Sequence, residues 1–235
     1  MSDKIAVYTN PFLSYKCRLN TRGRPTYGTL SQFLATHQGV PSTVGTRSGN
    51  IYDATIRRSQ HYSTNFQFDF LPTYVEQFLL LPVADENKRH HIRWLPDNHK
   101  YDVIVYEPGG YFREHEDARI NRFHYGTLLI FPPAINEFAH TGGDLIITRE
   151  DGSQFVFESS KVDYWTFLAF PPHYKHECLL VTSGKRVVIK TELCYLPHPV
   201  SEDNERFIPE ICDVAPSPPP FPPPHDMILD RSIRH

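Results

Sequence analysis

The sequence lacks the features that carry a chain into or across a membrane. No apolar run approaches the roughly 20 residues that are needed to span a bilayer. The first residues, MSDKIAVYTNPF, contain neither the basic start nor the apolar stretch of a secretory signal. We therefore expect an intracellular protein, cytoplasmic or nuclear, that has no membrane partner.

Closely spaced cysteines and an excess of positive charge are also missing. The four cysteines (Cys17, Cys178, Cys194 and Cys212) form no C-x-x-C pair, which fits a reducing compartment and argues against a cysteine-rich zinc module. The formal net charge is -3, so no overall positive field indicates a nucleic-acid partner.

Proline and aromatic residues are abundant, with 21 Pro, 16 Phe and 13 Tyr, and this composition favours short strands and turns over long helices. Between residues 101 and 196 strand-like runs follow one another at short intervals, separated by glycine and proline turn signals. Such a series predicts a β-sandwich or barrel, and Asp151-Gly152 predicts a hairpin within it. The predicted strands are Asp102–Tyr106, Tyr125–Phe131, Asp144–Arg149, Gln154–Glu158, Trp165–Phe170, Cys178–Thr182 and Arg186–Leu193.

Three segments are predicted along the chain. Residues 1–100 should form a supporting segment on the core, with one helix after Thr29 and a second that Pro72 opens. Residues 101–196 form the core itself. Residues 197–235 are rich in proline and should be a flexible tail in polyproline conformation, either a solvated spacer or the ligand of a proline-recognition domain.

His115 and Asp117 form an H-x-D pattern, and on a strand these two side chains point the same way. Chance alone supplies roughly one such pattern in a chain of this composition, so a solvated pair is the alternative. His176 could add a third ligand from a distant strand. Two histidines and one carboxylate leave three positions of an octahedron open, as in non-haem ferrous oxygenases. Cys178 is the competing candidate, because a closed zinc site would require a fourth ligand.

Arg186 follows His176 by ten residues, across a predicted hairpin turn over residues 181–184. A hairpin of that length would return Arg186 beside the strand of His176. A guanidinium near a metal with open positions can hold a carboxylate through two hydrogen bonds, and a surface cation is the alternative.

Together these motifs resemble the 2-oxoglutarate/Fe(II)-dependent dioxygenases of the prolyl 4-hydroxylase type. Residues 106–117, YEPGGYFREHED, resemble the family pattern Y-x-P-G-G-x-F-x-x-H-x-D, and residues 142–145 resemble its G-G-x-L element. Residues 176–186, HECLLVTSGKR, resemble its H-E-V-x-P-V-x-x-G-x-R, with Leu180 in the place where proline is frequent. The resemblance spans roughly residues 101–195.

The resemblance implies a mainly β fold, a double-stranded β-helix or jelly roll with flanking N-terminal helices. It implies that His115, Asp117 and His176 bind Fe(II), that Arg186 binds the distal carboxylate of 2-oxoglutarate, and that Tyr106 contacts the same co-substrate. Oxygen would be the second co-substrate and ascorbate a candidate accessory reductant.

The substrate implied by analogy is a prolyl or other side chain of a protein or peptide. Residues 187–190, VVIK, lack the second spaced arginine of the nucleic-acid demethylase branch, which argues against alkylated bases. The alternatives are a small-molecule hydroxylase of the same superfamily, a non-catalytic jelly-roll binding module, and a metal enzyme that does not use 2-oxoglutarate.

Overall fold

The computed structural model describes residues 5–10, 17–20, 25–46, 49–64, 67–68, 92–94, 101–118 and 124–195. These residues form short strands, one helix α1 (Leu30–Thr36), and 3₁₀ turns at Asn136–Phe138 and Ser159–Lys161. The strands in chain order are β1 (Ala6–Asn10), β2 (Cys17–Asn20), β3 (Pro25–Gly28), β4 (Val40–Pro41), β5 (Val44–Thr46), β6 (Gly49–Ile51), β7 (Arg57–Arg58), β8 (Gln60–Thr64), β9 (Gln67–Phe68), β10 (Ile92–Trp94), β11 (Tyr101–Tyr106), β12 (Tyr111–His115), β13 (His124–Phe131), β14 (His140–Gly142), β15 (Leu145–Thr148), β16 (Gln154–Phe157), β17 (Trp165–Phe170), β18 (Lys175–Cys178), β19 (Val181–Gly184) and β20 (Arg186–Tyr195).

Two antiparallel sheets form the body of the fold. The larger has the order β1-β17-β13-β20-β11-β8-β4, with β10 also paired to β20, and the smaller has the order β16-β15-β18-β12-β7. The remaining described strands form small sheets, which pair β14 with β19, β5 with β6, and β2 with β3 and β9. The mainly β, jelly-roll fold predicted from the sequence is confirmed.

The hydrophobic core between the sheets follows from the two-residue period of the strands. On β11, Ile104 and Tyr106 point towards the smaller sheet, where they pack in one cluster with Leu145, Ile147 and Cys178. Burial of these apolar side chains stabilises the fold by about 25 cal/mol for each Å² removed from water.

The opposite face of the larger sheet is also covered. Val103 and Val105 alternate with the inward-facing residues of β11 and pack in a second cluster with Leu30 and Phe33 of α1. Thr29 caps this helix: its side chain accepts a hydrogen bond from the Gln32 backbone nitrogen, and the Gln32 side chain accepts one from Thr29. The central strands are therefore apolar on both faces, and the predicted helix after Thr29 is confirmed.

The other predicted elements had mixed outcomes. Trp165–Phe170 has the predicted bounds, Gly152 has φ +80° in the turn that joins β15 to β16, and the remaining core strands agree to within a few residues. The predicted strand Cys178–Thr182 is wrong, because the chain breaks at residues 179–180 into β18 and β19. The second predicted helix and the proline-rich tail lie outside the described residues. Within the described part of the chain, no helix has the length and apolar character that crossing a membrane requires.

Candidate metal centre

The two candidate histidines lie opposite each other on adjacent strands of the smaller sheet. His115 ends β12 and pairs in register with His176 of β18. Because directly opposed residues of antiparallel strands project to the same face, the two imidazole rings meet, with centroids 4.2 Å apart. The register between β12 and β18 shifts between Phe112 and His115.

Asp117 completes the group two residues beyond His115. Its Oδ2 lies 3.8 Å from His176 Nε2. Each of the three side chains offers one atom that could bind a metal, and these atoms all lie within 4.8 Å of one another. The structure therefore brings together the three residues that the sequence singled out. This is the only group of three or more potential metal-ligating side chains found among the described residues.

Both imidazoles are held in the tautomer that a metal ligand requires. His115 Nδ1 lies 2.8 Å from the Arg113 carbonyl oxygen, and His176 Nδ1 lies 3.0 Å from that of Tyr174. A hydrogen on Nδ1 donates to the carbonyl in each case, so the lone pair remains on Nε2. The strand geometry thus orients each ring through the backbone two residues before it.

Burial keeps the same two rings uncharged. Burial, together with the nearby His176, lowers the pKa of His115 from 6.5 to about 3. Burial is also the main cause of the lowered pKa of His176, which is 6% exposed. Neutral imidazole is the metal-binding form, so both rings are in that form at neutral pH.

Asp117 has polar partners besides the histidines. Thr127 Oγ1 donates to its Oδ2 over 2.5 Å, and Lys190 Nζ lies 3.3 Å from its Oδ1. Burial alone would raise the pKa of Asp117, but the charge of Lys190 and the donors around the carboxylate outweigh it and lower the pKa. Lys190 also lies 2.9 Å from Glu192 Oε1.

Sequence reasoning gave Lys190 no role, although a usable signal was present. Residues 186, 188, 190 and 192 lie on one face of a strand, so Lys190 had to share the face of Arg186. Burial lowers the pKa of Lys190, but the carboxylates of Asp117 and Glu192 outweigh that effect and raise it. Lys190 is therefore a charged neighbour of the candidate metal centre.

Arg186 reaches the site from the opposite sheet. It begins β20 in the larger sheet and pairs in register with Tyr106, whereas His176 belongs to the smaller sheet. The predicted hairpin that places Arg186 beside the strand of His176 is therefore wrong: residues 181–184 form β19, which pairs with β14. The two residues line the same cavity because the sheets face each other, not because their strands are neighbours.

The Arg186 side chain is 1% exposed and packed between aromatic rings. Its guanidinium carbon lies 5.0 Å from the ring centroid of Tyr106 and 5.3 Å from that of Phe131. Among the described residues no carboxylate lies within ion-pair distance of it. A buried cation without a compensating anion is costly.

Gly143 makes room for this arginine. A Cβ at that position would lie 2.7 Å from Arg186 Cδ and 2.8 Å from Val181 Cγ2, and the residue has φ +74°. Gly142, with φ +69°, has no room for a Cβ beside the Leu180 carbonyl oxygen. Both glycines therefore allow a close backbone approach that a side chain would prevent.

The candidate metal ligands and the charged side chains near them line one cavity of about 480 Å³. Its lining includes the three candidate ligands, Arg186, Lys190 and Arg57. The guanidinium carbon of Arg57, a residue of β7, lies 4.5 Å from the centroid of the Phe112 ring. Cys178 lines the cavity but is not part of the metal-ligating group, and burial raises the pKa of its thiol.

Fold and site together define a jelly-roll protein with a two-histidine, one-carboxylate centre beside a buried arginine. No family model and no curated protein matches the chain. Among solved structures it is similar to an oxidoreductase of the 2OG-Fe(II) oxygenase family from Burkholderia pseudomallei, at 16% identity and TM-score 0.42, over 70% of this chain and 76% of that one.

Two prolyl hydroxylases are similar to a comparable degree. The prolyl-4-hydroxylase of Pseudomonas putida has 18% identity and TM-score 0.40, over 61% of this chain and 75% of its own. The prolyl hydroxylase of Trichoplax adhaerens, in complex with a hypoxia inducible factor oxygen degradation domain peptide fragment, has 18% identity and TM-score 0.45, over 71% of this chain and 74% of its own. Because identities and TM-scores are low, the function proposed below depends on the chain's own residues.

Proposed function

We propose that this chain is an Fe(II)- and 2-oxoglutarate-dependent dioxygenase that hydroxylates an unactivated C–H bond. One observation carries the proposal: three potential metal ligands converge in a cavity that also contains a buried arginine without a carboxylate partner among the described residues. A metal alone would explain the first half of this arrangement, and an anion alone would explain the second. A keto-acid that binds the metal accounts for both.

The donor set fits ferrous iron. His115 and His176 each present a neutral Nε2, and Asp117 presents a carboxylate that is ionised at neutral pH. Three such ligands on one face leave three positions for a chelating co-substrate and oxygen. When bound, iron and 2-oxoglutarate would together activate oxygen, with succinate and carbon dioxide as products and one oxygen atom inserted into the substrate.

Arg186 is the proposed anchor for the distal carboxylate of 2-oxoglutarate. Its guanidinium can donate two parallel hydrogen bonds, and burial between Tyr106 and Phe131 strengthens them by excluding water. Tyr106 is the cross-strand neighbour of Arg186 and is 3% exposed, so we propose its hydroxyl as a second contact with the co-substrate.

We further propose that the substrate is a side chain of a protein or peptide, with prolyl as the first candidate. The resemblance of residues 106–117 and 176–186 to prolyl 4-hydroxylases supports this part. The proline-rich tail of residues 197–235 is proposed as a separate ligand for a proline-recognition domain.

The metal and co-substrate sites are tested without turnover. We expect the anaerobic protein with Fe(II) and 2-oxoglutarate to develop a weak visible charge-transfer band, and we expect His176→Ala and Asp117→Ala to lose it. His173→Ala is the control, because His173 pairs with the exposed Glu150 and belongs neither to the metal-ligating group nor to the lining of the cavity. A band that is absent in the unaltered chain, or that survives in both ligand variants, would overturn the assignment.

Turnover and substrate are tested separately. Release of succinate when oxygen is admitted would distinguish an active enzyme from a binding module that has kept the site. Peptide libraries would then be screened for a mass gain of one oxygen atom. Succinate formation that no peptide stimulates would favour the small-molecule alternative.

A further inference from the structure

A buried serine connects Arg186 to a histidine outside the candidate metal centre. Ser159 begins a 3₁₀ turn and is 1% exposed. Its Oγ lies 3.1 Å from Arg186 Nε, 3.1 Å from His140 Nε2 and 3.2 Å from the Gly143 carbonyl oxygen. Three polar partners around one hydroxyl fix its position closely.

The donors in this cluster can be assigned from chemistry. Arg186 Nε can only donate, so Ser159 Oγ accepts from it. His140 Nδ1 lies 2.9 Å from the Phe138 carbonyl oxygen, which requires a hydrogen on Nδ1. Burial is the main cause of the lowered pKa of His140 and favours its neutral form, in which Nε2 is an acceptor. The single hydrogen of the Ser159 hydroxyl is then shared between His140 Nε2 and the Gly143 carbonyl oxygen.

The resulting chain of hydrogen bonds runs from Arg186 through Ser159 to His140. It occupies the Nε edge of the guanidinium, while Tyr106 and Phe131 pack near the group. The two terminal amino groups are the part of Arg186 that remains for a carboxylate. Because Gly143 has no Cβ, the aliphatic part of Arg186 can pass close to it. The aliphatic part and the Nε edge of this side chain are therefore both beside neighbouring residues.

We propose that Ser159 and His140 are positioning residues for the co-substrate. They fix the orientation of the Arg186 guanidinium so that its terminal amino groups are preorganised for the distal carboxylate. Preorganisation lowers the cost of binding because the arginine does not have to be ordered when the ligand arrives. The inference rests on the proposed function, since it takes 2-oxoglutarate as the ligand of Arg186.

The proposal predicts a loss of affinity for 2-oxoglutarate that leaves metal binding unchanged. The probe is calorimetric titration of 2-oxoglutarate into full-length protein loaded with Mn(II), a redox-stable substitute for Fe(II). We expect Ser159→Ala to raise the dissociation constant roughly tenfold, the usual effect of losing one hydrogen bond to a charged group. The dissociation constant for Mn(II) should not change, because Ser159 contacts none of the candidate ligands.

His140 variants separate positioning from packing. We expect His140→Leu to weaken 2-oxoglutarate binding several-fold, and His140→Gln to restore it, because a glutamine amide oxygen can accept from Ser159 in place of Nε2. Ser153→Ala is the matched control: Ser153 accepts from Arg149 Nη1 over 3.0 Å but does not line the cavity. This variant should bind 2-oxoglutarate as the unaltered chain does.

The outcomes distinguish this inference from the proposed function. If the unaltered chain does not bind 2-oxoglutarate, the proposed function fails and this inference fails with it. If it binds, but Ser159→Ala and His140→Leu bind equally well, the positioning role is wrong and the proposed function stands. Equal weakening of Mn(II) and 2-oxoglutarate binding in Ser159→Ala would also overturn the positioning role, because it would indicate general damage to the fold.

Discussion

Asp117 is the candidate metal ligand that already has a cation beside it. Its side chain is 10% exposed, and Lys190 Nζ lies 3.3 Å from Oδ1. Lys190 also neutralises Glu192, so one ammonium group serves two carboxylates. Without Lys190 the metal-free protein would hold two carboxylates without this shared cation, and a bound divalent metal would become their main compensation.

We therefore predict that Lys190→Met destabilises the metal-free protein and increases the stabilisation that a bound metal provides. The metal-free variant should lose about 2 kcal/mol of unfolding free energy, since a partly buried carboxylate loses its partner. The rise in melting temperature on adding Mn(II) should be larger than in the unaltered chain. Lys175→Met is the control, because Lys175 pairs with Glu114 at 3.6 Å on the exposed surface, where such pairs contribute little. Equal stability of Lys190→Met and the unaltered chain would contradict the prediction.

The buried candidate histidines predict a pH dependence of stability in the metal-free protein. The pKa of His115 is about 3 in the folded chain and ordinarily 6.5, so between these values the unfolded chain binds a proton that the folded chain does not. Stability from this group is fully present above pH 6.5 and is lost as the pH falls towards 3. Denaturant unfolding between pH 7 and 4.5 should show this loss, with a slope lower by roughly one proton in His115→Gln. Identical slopes would show that the ring is not buried as described.

The candidate ligands were within reach of sequence reasoning, whereas their neighbours were not. His115 and Asp117 are two residues apart on the chain, and an ordered set of motifs indicated His176 and Arg186. Lys190 and Ser159 act through contacts with residues far away in the sequence. The strand period puts Lys190 on the same face as Arg186, but no spacing rule indicates which distant residues Lys190 or Ser159 contacts, because those contacts depend on how the two sheets are placed face to face.

At the scale of elements, the segment from residue 178 to 186 shows why one boundary was wrong. The run Cys178 to Val181 is apolar and predicts one continuous strand, yet Leu179 and Leu180 are exposed, at 38% and 51%. The chain changes partners there: Leu179 nitrogen donates to the Asp144 carbonyl oxygen and Val181 nitrogen to that of Gly110. An apolar pattern cannot reveal such a change, because it reports hydrophobicity and not the identity of the neighbouring strand.

The glycine pair beside this segment gives a prediction about the loop before β15. Gly143→Ala should cost about 2 kcal/mol or more, because it combines a strained φ with overlap against Arg186 Cδ. It should also weaken 2-oxoglutarate binding by displacing the arginine. Gly152→Ala is the matched control, since Gly152 has φ +80° but an added Cβ would meet nothing within 4 Å. It should cost about 1 kcal/mol from strain alone and leave binding unchanged. Equal effects of the two substitutions on binding would contradict the role given to Gly143.

At the scale of the whole molecule, the predictable part of the fold is the part with strong local patterns. Residues 101–195 alternate or form apolar runs between glycine and proline turns, and six of their strands were predicted to within a few residues. The short strands β12, β14, β18 and β19 were not predicted with these bounds. The short strands β4 to β8 carry weak patterns, with exposed residues such as Val40 and Ile51. The positions of β4, β7 and β8 depend on pairing with the two main sheets, as β8 pairs with β11 and β7 with β12, so the core had to be known first.

The predicted division of the chain at residue 196 leads to a test of the proline-rich tail. In the part of the chain that the structure describes, which ends at residue 195, the strands of both sheets and the residues of the candidate centre precede that point. Proline has no backbone N–H and cannot extend a sheet ladder, so residues 197–235 are not expected to contribute a strand to the core. A chain that ends at residue 196 should therefore keep its melting temperature and its affinities for Mn(II) and 2-oxoglutarate, measured by calorimetry beside the full chain. The separate peptide of residues 197–235 should bind an isolated proline-recognition domain, and a peptide with the same composition in scrambled order serves as its control. Weaker 2-oxoglutarate binding by the shortened chain would show that the tail takes part in the site, and the division at residue 196 would then be wrong.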